Sequence, residues 1–526
     1  MSNKLSQNFF VKRNKFDGVE RIRNSFHVLL VIFSISLVLR VYFTEFEIPL
    51  TQDGLLYFWY ANDLAQNLKF PSEYIEATNN GWPSFIGLFF TFFEFSSYLD
   101  QMALQRILSI VISSSTIFPI YFLIKKFTTK NFAIIGSTAF IFEPRIFMNS
   151  TLGLTEPLSI LILSLILFLI LNNKFSHFVL GFSLLAVDTL IRIENIFLIF
   201  PIVIYFFINN KIDKKNIVKI CGCIILLFLI IFPMLNIRNE SIGQDGFLSR
   251  FTYSLEKSPQ LAINRGISDG DVKLMLFLGV ENFLKFLAYS MIPIFLIFTP
   301  IGFIFLITNN NKTNRFLIFC VIFLLIPLIY AFSVASDFRY LFPLYPIFAI
   351  AFAVFFQKVF TKIKLKMVIG VLFAIIITSF LFIELKDDSN EIELVKISKI
   401  VYEKIDRINL NTSIAKYLPI AKLDKLENYP ITRTDYDIPF RLTDFGEPIN
   451  QEFSNIDEIM EFFKKNNITH LVLDENTEDI GFLSDVFNSK NESAYFKKIY
   501  DAENDGFNYQ LKIFIIDFDL WENNKK

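Results

Sequence analysis

Cysteine is nearly absent from this chain: Cys221, Cys223 and Cys320 are the three in 526 residues, and each lies inside an apolar run. No disulfide framework or metal cluster is encoded by them. "CGC" at 221–223 resembles half of a metal motif, but it has no partner ligands and reads as helix packing. A charge excess is missing too. Fifty basic against 51 acidic residues leave a formal net charge of −1, which gives no footing for a nucleic-acid partner. No internal repeat or inverted-repeat pattern is visible. The first apolar run, near 25–43, has no small-residue cleavage site after it, so a signal anchor is expected in place of a removable leader.

What the chain does have is apolar mass. Hydrophobic residues make up 53% of it, phenylalanine alone occurs 66 times, and the mean hydropathy is +0.46. Soluble chains do not carry that load, so several bilayer-spanning helices are expected. Runs long enough to span fall near 25–43, 100–124, 131–148, 155–172, 177–191, 193–208, 217–236, 283–307, 316–334, 341–357 and 367–384. The stretch "WPSFIGLFFTFFEF" at 82–95 falls short of the roughly 20 residues a span needs.

The positive-inside rule decides how to treat that short stretch. Lys4, Lys12, Arg13, Lys15, Arg21 and Arg23 keep the N-terminal tail in the cytoplasm. If 82–95 turns back without crossing, "KKFTTK" (125–130), Lys174, "KIDKKNIVK" (211–219), "NNNKTNR" (309–315) and "KVFTKIKLK" (358–366) all fall inside as well. The expected fold is therefore mainly α. A cytoplasmic tail (1–24) precedes a polytopic membrane domain (25–385) of about eleven transmembrane helices, with interfacial helices in its first external loop. A small extracytoplasmic α/β domain (386–526) follows, and the location is a cell membrane.

Within the external domain, "IDEIMEFFKKNN" (456–467) has helical apolar spacing, and "ITHLVLDE" (468–475) reads as a buried strand. "NDGFNYQLKIFIIDF" (504–518) opens with a turn and continues with strand-formers, as one arm of a hairpin. His470, beside the first strand, reads as structural. The polar segment 237–282 reads as a loop over a cavity.

With this parity the charges at membrane level gather on the external face: Arg40, Asp53, Arg145, Glu156, Arg192, Glu194, Asp337 and Arg339. Such charges are costly unless paired or facing water, and as a set they mark a functional cavity. Singly, some are interfacial anchors snorkelling to water, Arg40 above all. Asp53 serves equally as a cap for the helix of "TQDGLLYFWYANDL", which reads as oily on one side. Glu156 before Pro157 is ordinary helix-entry chemistry, and Asp63 reads as a solvated helix residue.

Two classes suit an outward cavity of acids and arginines. A transporter or lipid flippase places its polar groups near the bilayer midplane on broken helices. Here they cluster at the outer ends, which favours an enzyme acting on a lipid-linked substrate. Sugar transfer from a polyprenyl phosphate would need its site at the interface, where the lipid's phosphate lies. It needs a carboxylate to take the acceptor hydroxyl's proton and positive charge for the departing phosphate. Asp53 and Arg339 can supply that kit.

Four features in order carry a resemblance: "TQDGLLYFWYANDL", "NNGWPSFIGLFF", "GLTEPLSI" and "SDFRYLFPLYP", with "LIRIEN" at 190–195 beside them. Their order and sidedness resemble the GT-C superfamily of polyprenyl-phosphate-sugar-dependent membrane glycosyltransferases. Within it, the dolichyl-phosphate-mannose protein mannosyltransferase-like enzymes are most similar. The resemblance implies an inverting hexosyltransferase with Asp53 as catalytic base and Glu156 as the second-loop acid orienting acceptor or donor. Arg339, Tyr340 and Arg192 would bind the donor phosphate, and Glu194 and Arg145 would orient substrate. Glu156 stands where relatives more usually carry aspartate, and Gly54 stands where many carry a second acid or an arginine. The implied partners are a polyprenyl-phosphate-linked sugar, a protein, lipid or glycan acceptor and the lipid bilayer. No cofactor is required, and room is left for a divalent cation, although Asp53 and Glu156 form no recognisable ligand set. A tryptophan–tryptophan–aspartate motif is missing: Trp59, Trp82 and Trp521 are scattered, which disfavours an oligosaccharyltransferase.

Overall fold

The computed structural model describes residues 25–71, 80–242, 272–309, 311–334, 337–360, 364–384, 389–404, 413–418, 421, 455–475, 481–488 and 495–525. The basic N-terminal tail, most of segment 237–282 and residues 361–363 of the last basic connector lie outside the described residues. The chain forms two compact units. One is drawn from residues 1–44, 68–90 and 104–385, the other from 45–67, 91–103 and 386–526. The second unit thus takes in residues 45–67 and 91–103, which the composition change near residue 386 does not mark.

The first unit is helical because its sequence is a series of apolar runs with no alternating pattern. Among the described residues, six helices are long and apolar enough to cross a bilayer. They are Ser25–Tyr42, Tyr98–Ile124, Lys214–Ile237, Lys312–Ser333, Phe338–Val359 and Lys366–Glu384. Five shorter apolar helices accompany them: Gly81–Phe92, Glu156–Ile170, Phe175–Ile191, Ile193–Asn209 and Phe298–Thr308. The chain is a multi-pass membrane protein. Gly81–Phe92 has 12 residues, about 18 Å of helix against a hydrocarbon core of about 30 Å.

Two runs that read as continuous are broken, each at a proline. In 131–148, helix Lys130–Ile141 stops and Pro144–Ser150 restarts. Glu143 caps the restart, its carboxylate accepting from the backbone N–H groups of Arg145 and Ile146. Pro144 has no N–H to lose there, so the Glu-Pro pair makes a helix start at little cost. In 283–307, helix Val272–Ser290 ends, a turn containing Pro293 intervenes, and Phe298–Thr308 follows.

Small residues set the closest packing. A Cβ on Gly302 would lie 1.9 Å from the Ala351 carbonyl oxygen, so Phe298–Thr308 and Tyr345–Val359 meet backbone to backbone. Arg40, by contrast, is no interfacial anchor: it is fully buried. Its guanidinium donates to Ser150 Oγ at 2.9 Å, to the Ile141 carbonyl at 2.8 Å and to Ser36 Oγ, and it lies 4.6 Å from the Phe147 ring centroid. Hydroxyls and a carbonyl replace the water a snorkelling arginine would seek.

The second unit is built on a three-stranded antiparallel sheet in the order β1-β3-β2, with β1 His470–Asp474, β2 Phe496–Asp501 and β3 Leu511–Ile516. Leu471 opposes Phe514 and Val472 opposes Ile513. The expected strand, the helix Ile456–Lys465 before it and the hairpin arm are all present. Gly506, at φ +80°, closes the turn that leads into the arm. Alternation puts Leu471, Leu473, Phe514 and Ile516 in a core with Ile459, Phe463 and Trp521. Val472, Leu511 and Ile513 face a second core with Leu394, Val401 and Tyr417, against which Ile48 also packs. Both sheet faces are covered, which is why β1 and β3 read as nearly unbroken apolar runs.

Candidate active site

The site begins with the glycine–tryptophan pair at 81–82. A Cβ on Gly81 would lie 2.9 Å from the backbone carbonyl carbon and oxygen of Leu190, so a glycine here lets one helix start abut another helix's end. That end, Phe175–Ile191, leads directly into Arg192. Trp82 is fully buried, and its indole N–H donates to the Gly153 carbonyl at 2.9 Å; Gln105 Nε2 donates to the same oxygen at 2.8 Å. Gly153 turns the chain at φ +67°, three residues before Glu156. The Gly-Trp-Pro entry therefore braces the approaches to both Glu156 and Arg192.

Glu156 opens helix Glu156–Ile170, with Pro157 in its first turn, and it is 2% exposed. Arg192 follows the preceding helix in extended backbone and precedes the 3₁₀ turn Ile193–Leu198. Its Nη1 stands 3.3 Å from Glu156 Oε1, and its Nε 3.0 Å from Glu194 Oε1. The Arg339 guanidinium reaches the same carboxylate oxygen from a third element, Nη1 to Oε1 at 4.0 Å. Asp337 caps the 3₁₀ helix Phe338–Leu344 by accepting from the Arg339 N–H at 2.9 Å, and its other oxygen meets Arg339 Nε at 2.5 Å. The Tyr340 ring centroid lies 5.5 Å from the Arg192 guanidinium carbon.

Five of the expected site residues are thus brought together: Glu156, Arg192, Glu194, Arg339 and Tyr340. A buried carboxylate placed between two guanidiniums fixes the position of both cations. Arg339, with its side chain 25% exposed against 8% for Arg192, is the more accessible of the pair. Arg145 belongs to another set. It pairs with Glu143 at 3.4 Å, donates to the Ile292 carbonyl and lies 4.3 Å from the Tyr289 ring centroid.

Asp53 stands in the other unit, half-buried in the first turn of helix Gln52–Asn67. Gln52 before it holds φ +49°, a left-handed conformation that a side-chain-bearing residue adopts at a cost of about 1–3 kcal/mol. The helix is not oily on one side only: residues 54–63 are buried without interruption, Asp63 among them at 2% exposure. Asp63 is therefore no solvated residue. Tertiary packing covers the face that local polarity assigned to water, and the neighbouring Asn62 accepts from Gln101 at 3.2 Å.

Sequence reasoning passed over Asp188. It is fully buried, accepts from Asn195 Nδ2 at 2.9 Å, and its backbone carbonyl accepts from the Arg192 N–H at 2.7 Å. Asn195 also donates to Ser159 Oγ at 3.0 Å, one turn beyond Glu156. An acid inside an otherwise apolar helix was the available signal. Among the described residues no three His, Cys, Asp or Glu side chains gather in a way that could hold a metal ion.

Residues 85–236 match the model of the dolichyl-phosphate-mannose-protein mannosyltransferase family, a stretch that contains Glu156, Arg192 and Glu194. No curated protein matches the chain by sequence. Among solved structures, ArnT from Cupriavidus metallidurans bound to undecaprenyl phosphate superposes with a TM-score of 0.52, at 10% identity over 94% of this chain and 97% of that one. The Archaeoglobus fulgidus oligosaccharyltransferase in complex with zinc and sulfate gives 0.51 at 12% identity, covering 89% and 72%. Its apo form gives 0.53 at 11% identity, covering 88% and 70%. Both are GT-C membrane enzymes, and the GT-C fold expected from the order of the sequence motifs is the fold of this chain.

Proposed function

We propose that this GT-C protein transfers a sugar from a polyprenyl-phosphate donor to an acceptor hydroxyl at the extracytoplasmic face of the membrane. The observation that carries the reading is the convergence of Arg192 and Arg339 on the buried Glu156. Anion recognition at a lipid interface calls for permanent, planar cations, and arginine keeps its charge where lysine would lose it. Three separate helix starts or turns supply the members of this cluster, so its geometry is set before any ligand arrives.

In this reading Arg339 meets the donor phosphate, with Arg192 held behind it by Glu156 and Glu194. Asp53, assigned by the order of motifs, takes the proton of the acceptor hydroxyl. The acceptor oxygen bonds to the anomeric carbon as the bond to the phosphate oxygen breaks, with inversion at that carbon. The polyprenyl phosphate leaves as a stable anion, so no general acid is needed on its side. Its charge is met by guanidinium groups, and no metal ion enters the scheme.

Membranes containing the protein, supplied with a radiolabelled polyprenyl-phosphate sugar, test this directly. The reading expects label in a glycosidic product. Movement of label across sealed vesicles with no such product would replace it with the transporter reading.

A further inference from the structure

A cavity of about 170 Å³ lies in the helical unit, away from the acids and arginines described above. Its polar lining comes from three places: Lys126 in a turn; Asn309, Asn311, Thr313 and Asn314 where one helix ends and the next begins; and Gln357 and Lys358 at the end of helix Tyr345–Val359, with Phe305, Leu306 and Val354 behind them. It stands at the other end of the same helices. Span Phe338–Val359 carries Arg339 at its start and Lys358 at its finish, 22 residues or about 33 Å of helix, close to a bilayer's hydrocarbon thickness. Helix Glu156–Ile170 likewise begins with Glu156 and ends two residues before Asn172, whose side-chain oxygen accepts from Lys126 Nζ.

In the three chain segments around the cavity the charge has one sign. Segments 125–130, 309–315 and 357–360 contain Lys125, Lys126, Lys130, Lys312, Arg315 and Lys358 and not one acid. Among the described residues that line the cavity, lysine is the only titratable type. The walls are stiffened by bonds of their own. Asn314, 3% exposed, donates to the Leu306 and Asn309 carbonyls at 3.0 and 2.8 Å, and Gln357 Oε1 accepts from the Thr129 N–H at 2.6 Å. Lys126 is bonded to a neutral amide, and Lys358 has no hydrogen bond or ion pair among the described residues.

A hollow lined by two lysines and, among the described residues, by no carboxylate, one hydrocarbon thickness from the arginine cluster, has the chemistry of a phosphate receptor at a membrane surface. We propose that it binds the phosphate of an anionic phospholipid headgroup on the face carrying the basic connectors. The site is independent of the transfer reaction: its occupant is a bilayer lipid, and its phosphate stays intact. Lysines act here as point charges, which suits a diester headgroup of variable orientation.

The full-length protein, purified in detergent micelles doped with phosphatidylglycerol or phosphatidylcholine, tests the assignment by quantifying lipid that co-purifies. Phosphatidylglycerol should be retained at least ten-fold over phosphatidylcholine, and Lys126→Ala with Lys358→Ala should remove that preference without changing the melting temperature in lipid-free detergent. If the double variant does not fold, Lys358→Glu alone should lower retention, since it reverses an exposed charge. Equal retention of the two lipids, or a preference that survives these changes, would overturn the proposal. So would saturable binding of inorganic phosphate at the same lysines without any gain from lipid, which would make the ligand a soluble anion.

Discussion

Arg192 Nη1 lies 3.3 Å from Glu156 Oε1, with both side chains almost entirely buried, although 36 residues separate them in the chain. The contact ties a turn that follows one helix to the first residue of another. Removing one partner strands the other charge where water cannot reach it. Arg192→Met should therefore cost about 3 kcal/mol, the lower part of the range for breaking a buried pair, because Arg339 still stands near Glu156. Thermal unfolding in detergent would read this as a lowered melting temperature, and adding Glu156→Gln to the variant should recover part of the loss. Equal stability of Arg192→Met and wild type would mean the pair is solvated.

Arg339 should behave differently, since it is partly exposed and paired with the equally accessible Asp337. Arg339→Ala should leave the melting temperature nearly unchanged while lowering kcat/KM for the polyprenyl-phosphate donor on the order of 10–100-fold, the worth of a charged hydrogen bond. Arg339→Lys should restore little of it, because an ammonium cannot reproduce a planar fork. Full activity in the lysine variant would show that only charge matters there.

The atoms nearest to a side chain at Gly81 belong to Leu190 and Ile191, yet its replacement should disturb the site. A methyl group there would press on the backbone of Leu190, two residues before Arg192. Gly81→Ala should lower donor affinity with a smaller effect on stability, whereas Gly222→Ala, which meets open space, should do neither. Steady-state kinetics of the two variants side by side would check this. Identical kinetics would remove the Gly-Trp-Pro entry from the account of the site.

Chelation should have no effect. If guanidinium groups alone meet the charge of the departing phosphate, transfer should proceed at the same rate after exhaustive treatment with EDTA. A loss of activity that added magnesium or manganese restores would require a metal in the donor site.

Local pattern carried much of this fold to the reader of the sequence. The strand at 470–474 alternates between two cores, and the turn at Gly506 needs a left-handed residue, so both are written in neighbouring positions. The meeting of Glu156, Arg192 and Arg339 was legible as well, because they are charges at the ends of apolar runs, where few charged residues occur. What escaped notice depends on distant partners. Asp188 is made tolerable by Asn195, and Arg40 is sheltered by Ser36, Ser150 and Phe147. Asp63 is buried by packing that its own helix does not encode. Hydropathy also read through the stops at Glu143 and around Pro293, because a break inside an apolar run changes its average very little.

The most direct measurement is the transfer of labelled sugar by membranes carrying wild type, Asp53→Asn or Arg339→Ala, at matched protein levels. A carboxamide has the shape of the acid but cannot take the hydroxyl's proton, so Asp53→Asn should lose product formation while still binding polyprenyl phosphate. Arg339→Ala should instead lose binding. Undiminished transfer by Asp53→Asn would contradict the account at its centre.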